Sequence, residues 1–148
     1  MTGRVVNRRH ADADHDVISV ERDGTFRYRR QPCGGCPWRT DQTGQFPAEA
    51  FRLSAGTAYD MAGKGFGCHE SGSDRPSTCA GFLLRGADHN MAIRMRISAG
   101  QIDPAAVSDG GAELHHSYRA MAVANGVHPA DPVLGPCRDP HPRDGEHR

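Results

Sequence analysis

The stretch that decides the fold is PCGGCPWR at residues 32–39, in which two cysteines flank two glycines. Gly34 and Gly35 let the backbone wrap tightly, so the sulfur atoms of Cys33 and Cys36 are expected on one side of a turn. Two thiolates held in this way fill half of the coordination sphere of a tetrahedral ion. The stretch therefore predicts a metal-binding turn that residues from elsewhere in the chain complete.

The remaining candidate ligands lie in two later loops. Cys68 and His69 are adjacent, and ten residues separate Cys68 from Cys79. Adjacent side chains seldom both reach one tetrahedral ion. The simplest ligand set is therefore Cys33, Cys36, Cys68 and Cys79, and His69 would lie beside this set or replace Cys68 in a site of three cysteines and one histidine. Thiolates are soft donors, so the expected cofactor is zinc, with a 4Fe–4S cluster as the alternative.

Length and composition explain why a metal would be needed. The chain has 148 residues, of which only 36% are hydrophobic and 6% aromatic. This length corresponds to one domain, and a domain with so few large apolar residues has a thin core. Small domains of this kind are commonly stabilised by a disulfide or a metal ion. We therefore expect a metal to contribute stability that apolar burial does not.

The sequence predicts a cytoplasmic location. The N-terminal segment has no apolar run like that of a secretory signal, and no segment approaches the roughly 18 apolar residues of a membrane span. Structural disulfides are rare in the cytosol, so cysteines there are metal ligands, catalytic groups or buried thiols. The formal charge is zero, with 18 basic and 18 acidic residues, which argues against a protein that mainly coats nucleic acid or anionic membranes.

Two other interpretations of the cysteines stay open. They could be buried thiols that bind nothing, since free cysteine is a common core residue. Cys33 and Cys36 could also form a thioredoxin-like redox pair, but Pro37 and the loop at residues 40–45 follow them where that motif requires a helix. Cys137 lies in a segment rich in proline and glycine, and it is expected to be a free thiol outside the ligand set.

The expected fold is a small, mainly α domain stapled by a metal, with an α+β architecture as the alternative. We expect disorder over residues 1–24 and 137–148, and a Cys-ligated metal-binding domain over residues 25–136. A short N-terminal strand or hairpin is expected from the alternation of aromatic and basic residues in Thr25–Arg30. Helices are predicted where apolar residues recur at helical spacing: after Pro47, over Cys79–Arg85 and along Leu114–Ala122. The pattern of Asn90–Ala99 fits a strand as well as a helix, and Gly100 as a C-cap favours the helix.

The cysteine pattern resembles that of a family of unknown function found in actinobacteria and their phages. That pattern is P-C-x-x-C-P-W-R, then a helix, then F-x-C-H, then C-A-G. Its counterparts in this chain are residues 32–39, Phe66–His69 and Cys79–Gly81. The similarity covers roughly residues 30–137, with the cysteines as its specific part. It implies a cysteine-liganded metal site on a small, mostly α domain, and it supplies neither an activity nor a catalytic residue.

Two functions follow from these observations. The favoured one is a non-enzymatic regulatory or interaction module of bacterial or phage origin, whose partner is a protein or a nucleic acid rather than a membrane or a small-molecule substrate. The alternative is an iron–sulfur redox or enzymatic protein in which His69 moves protons beside the cluster. Whether the chain is an enzyme stays open, with the non-enzymatic role favoured.

A basic and aromatic strip precedes the cysteine turn. Arg27, Arg29 and Arg30 alternate there with Phe26 and Tyr28, which is the profile of a nucleic-acid contact. The other interpretation, which we prefer from the sequence because the whole chain is neutral, is the solvated face of an edge strand that its charges protect from pairing.

Overall fold

The computed structural model describes residues 3–12, 16–22, 26–68 and 76–142. This part of the chain contains four short helices, numbered α1 to α4 in chain order: Ala48–Ser54, Ala80–Arg85, Met91–Ser98 and Tyr118–Ala124. It also contains one antiparallel hairpin, formed by β1 (Gly3–His10) and β2 (Asp16–Arg22). Within the same ranges, no helix is long and apolar enough to cross a membrane. The mainly α fold predicted from the sequence is confirmed.

Helix α3 begins and ends where its flanking residues dictate. The side-chain oxygen of Asn90 accepts a hydrogen bond from the Ile93 N–H at 3.0 Å, which satisfies one donor of the first turn. Gly100 follows the helix with a φ of 77°, a conformation that residues with side chains rarely adopt. Ser117 caps α4 in the same way, by accepting a hydrogen bond from the Ala120 N–H at 3.0 Å. Asparagine and serine therefore set the start of these two helices.

The N-terminal hairpin differs from the disordered arm predicted over residues 1–24. Its strands pair in antiparallel register with one irregularity, between Val5 and Asn7. Arg9 Nη2 donates a hydrogen bond to the carbonyl oxygen of Leu53 at 2.9 Å, which attaches the hairpin to α1. An isolated two-stranded hairpin is marginally stable in water, so contact with the domain supplies what the local sequence does not reveal.

The C-terminal segment also differs from the prediction. The sequence predicts a disordered tail over residues 137–148, but residues 137–142 contact the domain. The Arg138 N–H donates to the carbonyl oxygen of Ala58 at 2.8 Å. Asp139 also pairs with Arg119 at 3.1 Å. Backbone and polar contacts of this kind leave no hydrophobic pattern in the sequence, which is why the prediction missed them. Residues 143–148 lie outside the described part of the chain.

Trp38 is the centre of the core. Its side chain is fully buried, and its ring centroid lies 5.8 Å from that of Phe66, 6.4 Å from that of Phe82 and 5.7 Å from that of Tyr118. Aromatic rings at these separations bury much surface and favour defined mutual orientations. A cluster of four rings, with Cys33, Cys36, Cys68 and Cys79 in the same core, therefore replaces the larger aliphatic core that the composition lacks.

Candidate metal centre at the cysteine cluster

The PCGGCPWR stretch forms the tight turn that its glycines predict. The Cys36 N–H donates to the carbonyl oxygen of Cys33 at 3.1 Å, and the Arg39 N–H donates to that of Cys36 at 3.0 Å. Cys33 and Cys36 are buried, with 4% and 0% of their surface exposed, whereas Gly34 faces open space. The turn therefore directs both cysteines into the core and Gly34 outwards.

The second pair of cysteines is held by a short extended ladder. The Cys68 N–H donates to the carbonyl oxygen of Ser77 at 2.7 Å, and the Cys79 N–H donates to that of Phe66 at 2.9 Å. Gly67 and Thr78 are thus opposite each other in antiparallel pairing. Because side chains alternate along extended backbone, Cys68 and Cys79 project on the same face as diagonal neighbours, with Cα atoms roughly 7–8 Å apart. The ladder brings together two cysteines that are ten residues apart in sequence.

The two pairs meet at Cys36 and Cys79. Their Sγ atoms are 3.5 Å apart. Zn–S bonds of about 2.3 Å place neighbouring sulfurs of a tetrahedral site about 3.8 Å apart. The distance observed between these sulfurs is therefore close to one edge of a tetrahedral thiolate site.

The electrostatics around this pair favour a thiolate at Cys36. A hydrogen bond from the Cys79 thiol lowers the pKa of Cys36, and the backbone N–H groups of Trp38, Arg39 and Gly81 lower it further. The pKa of Cys79 is raised because its thiol donates this hydrogen bond and because it is buried. Of the two thiols, Cys36 is therefore the one that loses its proton more readily. A metal cation between them would take the place of that proton.

The described side chains do not form a complete metal site. Among the residues at 3–12, 16–22, 26–68 and 76–142, no group of three or more His, Cys, Asp or Glu side chains is arranged to hold a metal ion. Cys33 and Cys68 belong to the same buried cluster as Cys36 and Cys79 without completing such a group. His69, the alternative ligand, lies outside the described residues. The preformed part of the candidate centre is the Cys36–Cys79 pair.

Arg39 lies beside the turn and is held by a neighbouring carboxylate. Its Nη2 is 2.6 Å from Asp41 Oδ2, and its Nε donates to Asp41 Oδ1 at 2.9 Å. This pair raises the pKa of Arg39 and lowers that of Asp41, and the nearby sulfurs of Cys36 and Cys33 add to the first effect. Arg39 therefore places a fixed positive charge close to the cysteine turn.

Cys137 is the fifth cysteine of the same buried core. It is 5% exposed, and its thiol donates to the carbonyl oxygen of Ala55 at 3.7 Å. Burial raises the pKa of Cys137 to about 11. No disulfide joins it to another cysteine of the described chain. Its burial does not follow from the proline-rich and glycine-rich sequence around it.

The sequence did not identify the contribution of Gly81 and Gly86. A Cβ atom at Gly81 would lie 2.5 Å from Trp38 Cβ, and one at Gly86 would lie 2.5 Å from Trp38 Cη2. The indole therefore lies against the backbone of α2, which starts directly after Cys79. The only sequence signal for this contact is the spacing of two glycines around a six-residue helix.

Arg27, Arg29 and Arg30, for which the sequence left a nucleic-acid contact as the less favoured interpretation, lie on a segment that joins the cysteine ladder. The Arg29 N–H donates to the carbonyl oxygen of Thr78 at 2.9 Å, and the Thr78 N–H donates to that of Arg27 at 3.0 Å. Arg30 follows and is exposed. In place of the strand predicted at Thr25–Arg30, the described residues of this segment form one parallel bridge, between Tyr28 and Thr78.

Comparison with known proteins places the chain in a family without an established activity. A family model described as a family of unknown function, DUF6283, matches residues 28–138. No curated protein and no solved structure matches the chain. The matched range includes the cysteine turn, the ladder, all four helices and Cys137. The chain belongs to the family of unknown function DUF6283.

Proposed function

We propose that this chain is a small zinc-binding module in which Cys33, Cys36, Cys68 and Cys79 hold one zinc ion, and that it acts by binding a partner rather than by catalysis. The observation that carries the proposal is the 3.5 Å contact between Cys36 Sγ and Cys79 Sγ, in a hydrophobic core where Cys33 and Cys68 are also buried. Backbone N–H groups that point at Cys36 support it, because such donors stabilise a thiolate.

The short sulfur–sulfur distance favours a single ion over an iron–sulfur cluster. In a 4Fe–4S cluster the iron and sulfide atoms would have to lie between the cysteine sulfurs, which would separate them more widely than the ligands of one ion. A contact of 3.5 Å leaves no room for them between Cys36 and Cys79. Four thiolates also fill the tetrahedral sphere of zinc, which leaves no position for substrate or water and is typical of structural sites.

Zinc binding would draw Cys33 and Cys68 towards the Cys36–Cys79 pair. Cys33 lies in the same turn as Cys36, and Cys68 projects on the same face of the ladder as Cys79. The ion would then join the turn at residues 33–36 to the start of α2, where a thin core most needs an additional link.

Metal analysis of the full chain, purified without oxygen, tests this proposal. We expect one zinc ion per chain, and X-ray absorption should show four sulfur neighbours at about 2.3 Å. Cys79→Ser should lose the zinc, and Cys137→Ser is the matched control that should retain it. If Cys79→Ser does not fold, the absorption spectrum of the wild-type chain still decides the ligand set. Several irons per chain would support the redox alternative, and no metal at all would leave only buried thiols.

The third ligand is tested separately. His69→Ala should retain one zinc ion with four sulfur neighbours if all four ligands are cysteines. A set of three cysteines and His69 predicts three sulfurs and one nitrogen in the wild-type chain and a large loss of zinc affinity in His69→Ala, whereas Cys68→Ser would keep the ion.

A further inference from the structure

Two arginines cover two aromatic rings on one surface of the molecule. We name this surface, formed by Phe26, Tyr28, Arg30 and Arg96, the aromatic–arginine face. The Arg96 guanidinium carbon lies 4.0 Å from the centroid of the Phe26 ring, and that of Arg30 lies 5.0 Å from the centroid of Tyr28. The two rings are nearly parallel, with centroids 6.2 Å apart and planes inclined by 25°. The face therefore presents planar groups in a shared orientation.

Backbone and side-chain hydrogen bonds hold this arrangement in place. The Tyr28 hydroxyl accepts from Arg30 Nη1 and from the Asp103 N–H, each at 3.2 Å. Arg96 Nη1 donates to Gln101 Oε1 at 2.9 Å. The guanidinium groups are thus oriented before any partner binds, which lowers the conformational entropy that binding would remove.

The arginines of this surface keep their positive charge available. Arg30 and Arg96, and the neighbouring Arg29, form no ion pair with an acidic residue of the described chain; their hydrogen bonds go to Tyr28, Gln101 and the carbonyl oxygen of Gln31. Elsewhere in the described chain arginines do pair with acids, as Arg52 does with Asp131 at 2.7 Å. A neutral protein thus concentrates uncompensated charge at this surface.

This geometry differs from that of a merely solvated edge. Arginines that only protect an edge strand would extend into water, whereas these lie over rings. A guanidinium plane fixed on an aromatic ring can stack a nucleobase on its outer surface and donate hydrogen bonds to a phosphate from its edge. Bases are available for stacking in a single strand and are occupied in a duplex.

We propose that the aromatic–arginine face binds single-stranded nucleic acid, with phosphates at Arg29, Arg30 and Arg96 and bases stacked on the guanidinium groups. This deepens the proposed function by naming the partner of the zinc module, and so rests on it. The two are linked, since Arg27–Arg29 pairs with Thr78, the residue that precedes the candidate ligand Cys79. An ordered ladder at the metal centre therefore supports the strip that carries the face.

The test is the affinity of the zinc-loaded full chain for fluorescein-labelled oligothymidine and oligouridine of about 12 residues, measured by anisotropy between about 50 and about 200 mM NaCl. Three phosphate contacts predict a slope of log K against log salt of about −2, and a weakening of about 20-fold over this range. A duplex of equal length should bind more weakly, as should a single strand in which abasic sites replace the bases. Tighter binding of the uridine probe would indicate RNA as the natural partner, and tighter binding of the thymidine probe would indicate DNA.

The variant Arg30→Gln/Arg96→Gln removes both stacked guanidinium groups, and Arg94→Gln is the matched control. Arg94 lies two positions from Arg96 on α3, so it is on the opposite side of the helix, where it borders a groove with Leu83. We expect the double variant to lose about tenfold or more in affinity and to reduce the slope to about −0.7, while Arg94→Gln changes affinity by less than about twofold.

Several results would overturn the proposal. Equal losses in the double variant and in Arg94→Gln would mean that net charge alone attracts the oligonucleotide. Equal affinity for the duplex, or no measurable binding of single strands, would also remove it. The two proposals can fail separately. A chain that contains zinc and binds no oligonucleotide would disprove only the nucleic-acid-binding role of the aromatic–arginine face. A chain that contains no metal and binds oligonucleotides would disprove only the zinc centre.

Discussion

Replacing Gly86 with alanine should destabilise the folded chain, although the same change is stabilising at most compatible positions. Gly86 follows α2 and has a negative φ, so alanine can adopt its backbone conformation. At such positions Gly→Ala stabilises by about 0.4–1 kcal/mol, because the unfolded chain loses conformational freedom. Here the new Cβ would lie 2.5 Å from Trp38 Cη2 and 3.0 Å from Trp38 Cζ2.

The size of the effect follows from the packing of the indole. Ordinary contacts of a Cβ atom begin near 3.4 Å, so the Trp38 ring would have to move by about 0.9 Å. The ring is fully buried and touches Phe66, Phe82 and Tyr118, so it has no space to move into. Overpacking of a core by one methyl group destabilises by about 1–3 kcal/mol. We expect a net loss of about 1–2 kcal/mol.

Urea unfolding followed by circular dichroism measures this loss, and a double-mutant cycle assigns it to the contact. Trp38→Phe removes the two nearest ring carbons that alanine would meet and leaves Phe82 Cδ1 at 3.1 Å, so Gly86→Ala should be less harmful in that background by about 1 kcal/mol or more. Gly63→Ala is the control, because its Cβ would meet no atom within 4 Å. Equal or greater stability of Gly86→Ala, or the same loss with and without Trp38, would refute the reasoning.

Two further predictions concern buried polar groups. Asn90 is 1% exposed, and its side-chain nitrogen donates to the carbonyl oxygens of Thr57 and Lys64 at 3.0 and 2.7 Å. Aspartate is normally as good a helix cap, but its carboxylate cannot donate these two hydrogen bonds. Asn90→Asp should therefore destabilise the folded chain by about 2 kcal/mol or more. A thermal melt in which Asn90→Asp matches the wild-type chain would show that only the cap matters. Folding raises the pKa of Cys137 from 9.0 to about 11. Between these two pH values the unfolded chain loses the thiol proton before the folded chain does. The contribution of this thiol to stability is therefore complete below pH 9 and falls as the pH rises towards 11. Urea midpoints measured from about pH 8 to about pH 11 should therefore decline less steeply in Cys137→Ala than in the wild-type chain, and parallel declines would contradict the assignment.

The sequence predicts the helices best where a cap is encoded locally. Asn90 and Gly100 bracket α3, and both signals lie within the segment that they define. The stripe that begins at Leu114 predicts a longer helix than α4. Leu114 instead pairs with Arg39 in extended conformation, and Ser117 starts the helix four residues before Met121. Pairing with a distant segment leaves no periodicity for a local pattern to detect.

The sequence singles out the cysteines of the candidate site but not their geometry. Spacing alone separates four cysteines from Cys137, whereas all five are buried in one core. That Cys36 meets Cys79 at 3.5 Å depends on the ladder that joins Gly67 to Thr78, and no local signal encodes that pairing. The contact between Arg96 and Phe26 could not be predicted locally either, because Arg96 lies on a helix 70 residues further along the chain.

The backbone pairings also have a consequence for how fast the chain folds. Three of the four isolated bridges in the described chain join Tyr28 to Thr78, Arg39 to Leu114 and Tyr59 to Cys137, residues that are 50 or more positions apart. Helices of six to eight residues are too short to persist alone, so little structure can form before these distant segments meet. Folding should therefore be slow and cooperative, because the entropy of closing large loops is lost before any contact compensates for it. For the same reason, a fragment that ends before residue 137 should not fold to a smaller stable domain.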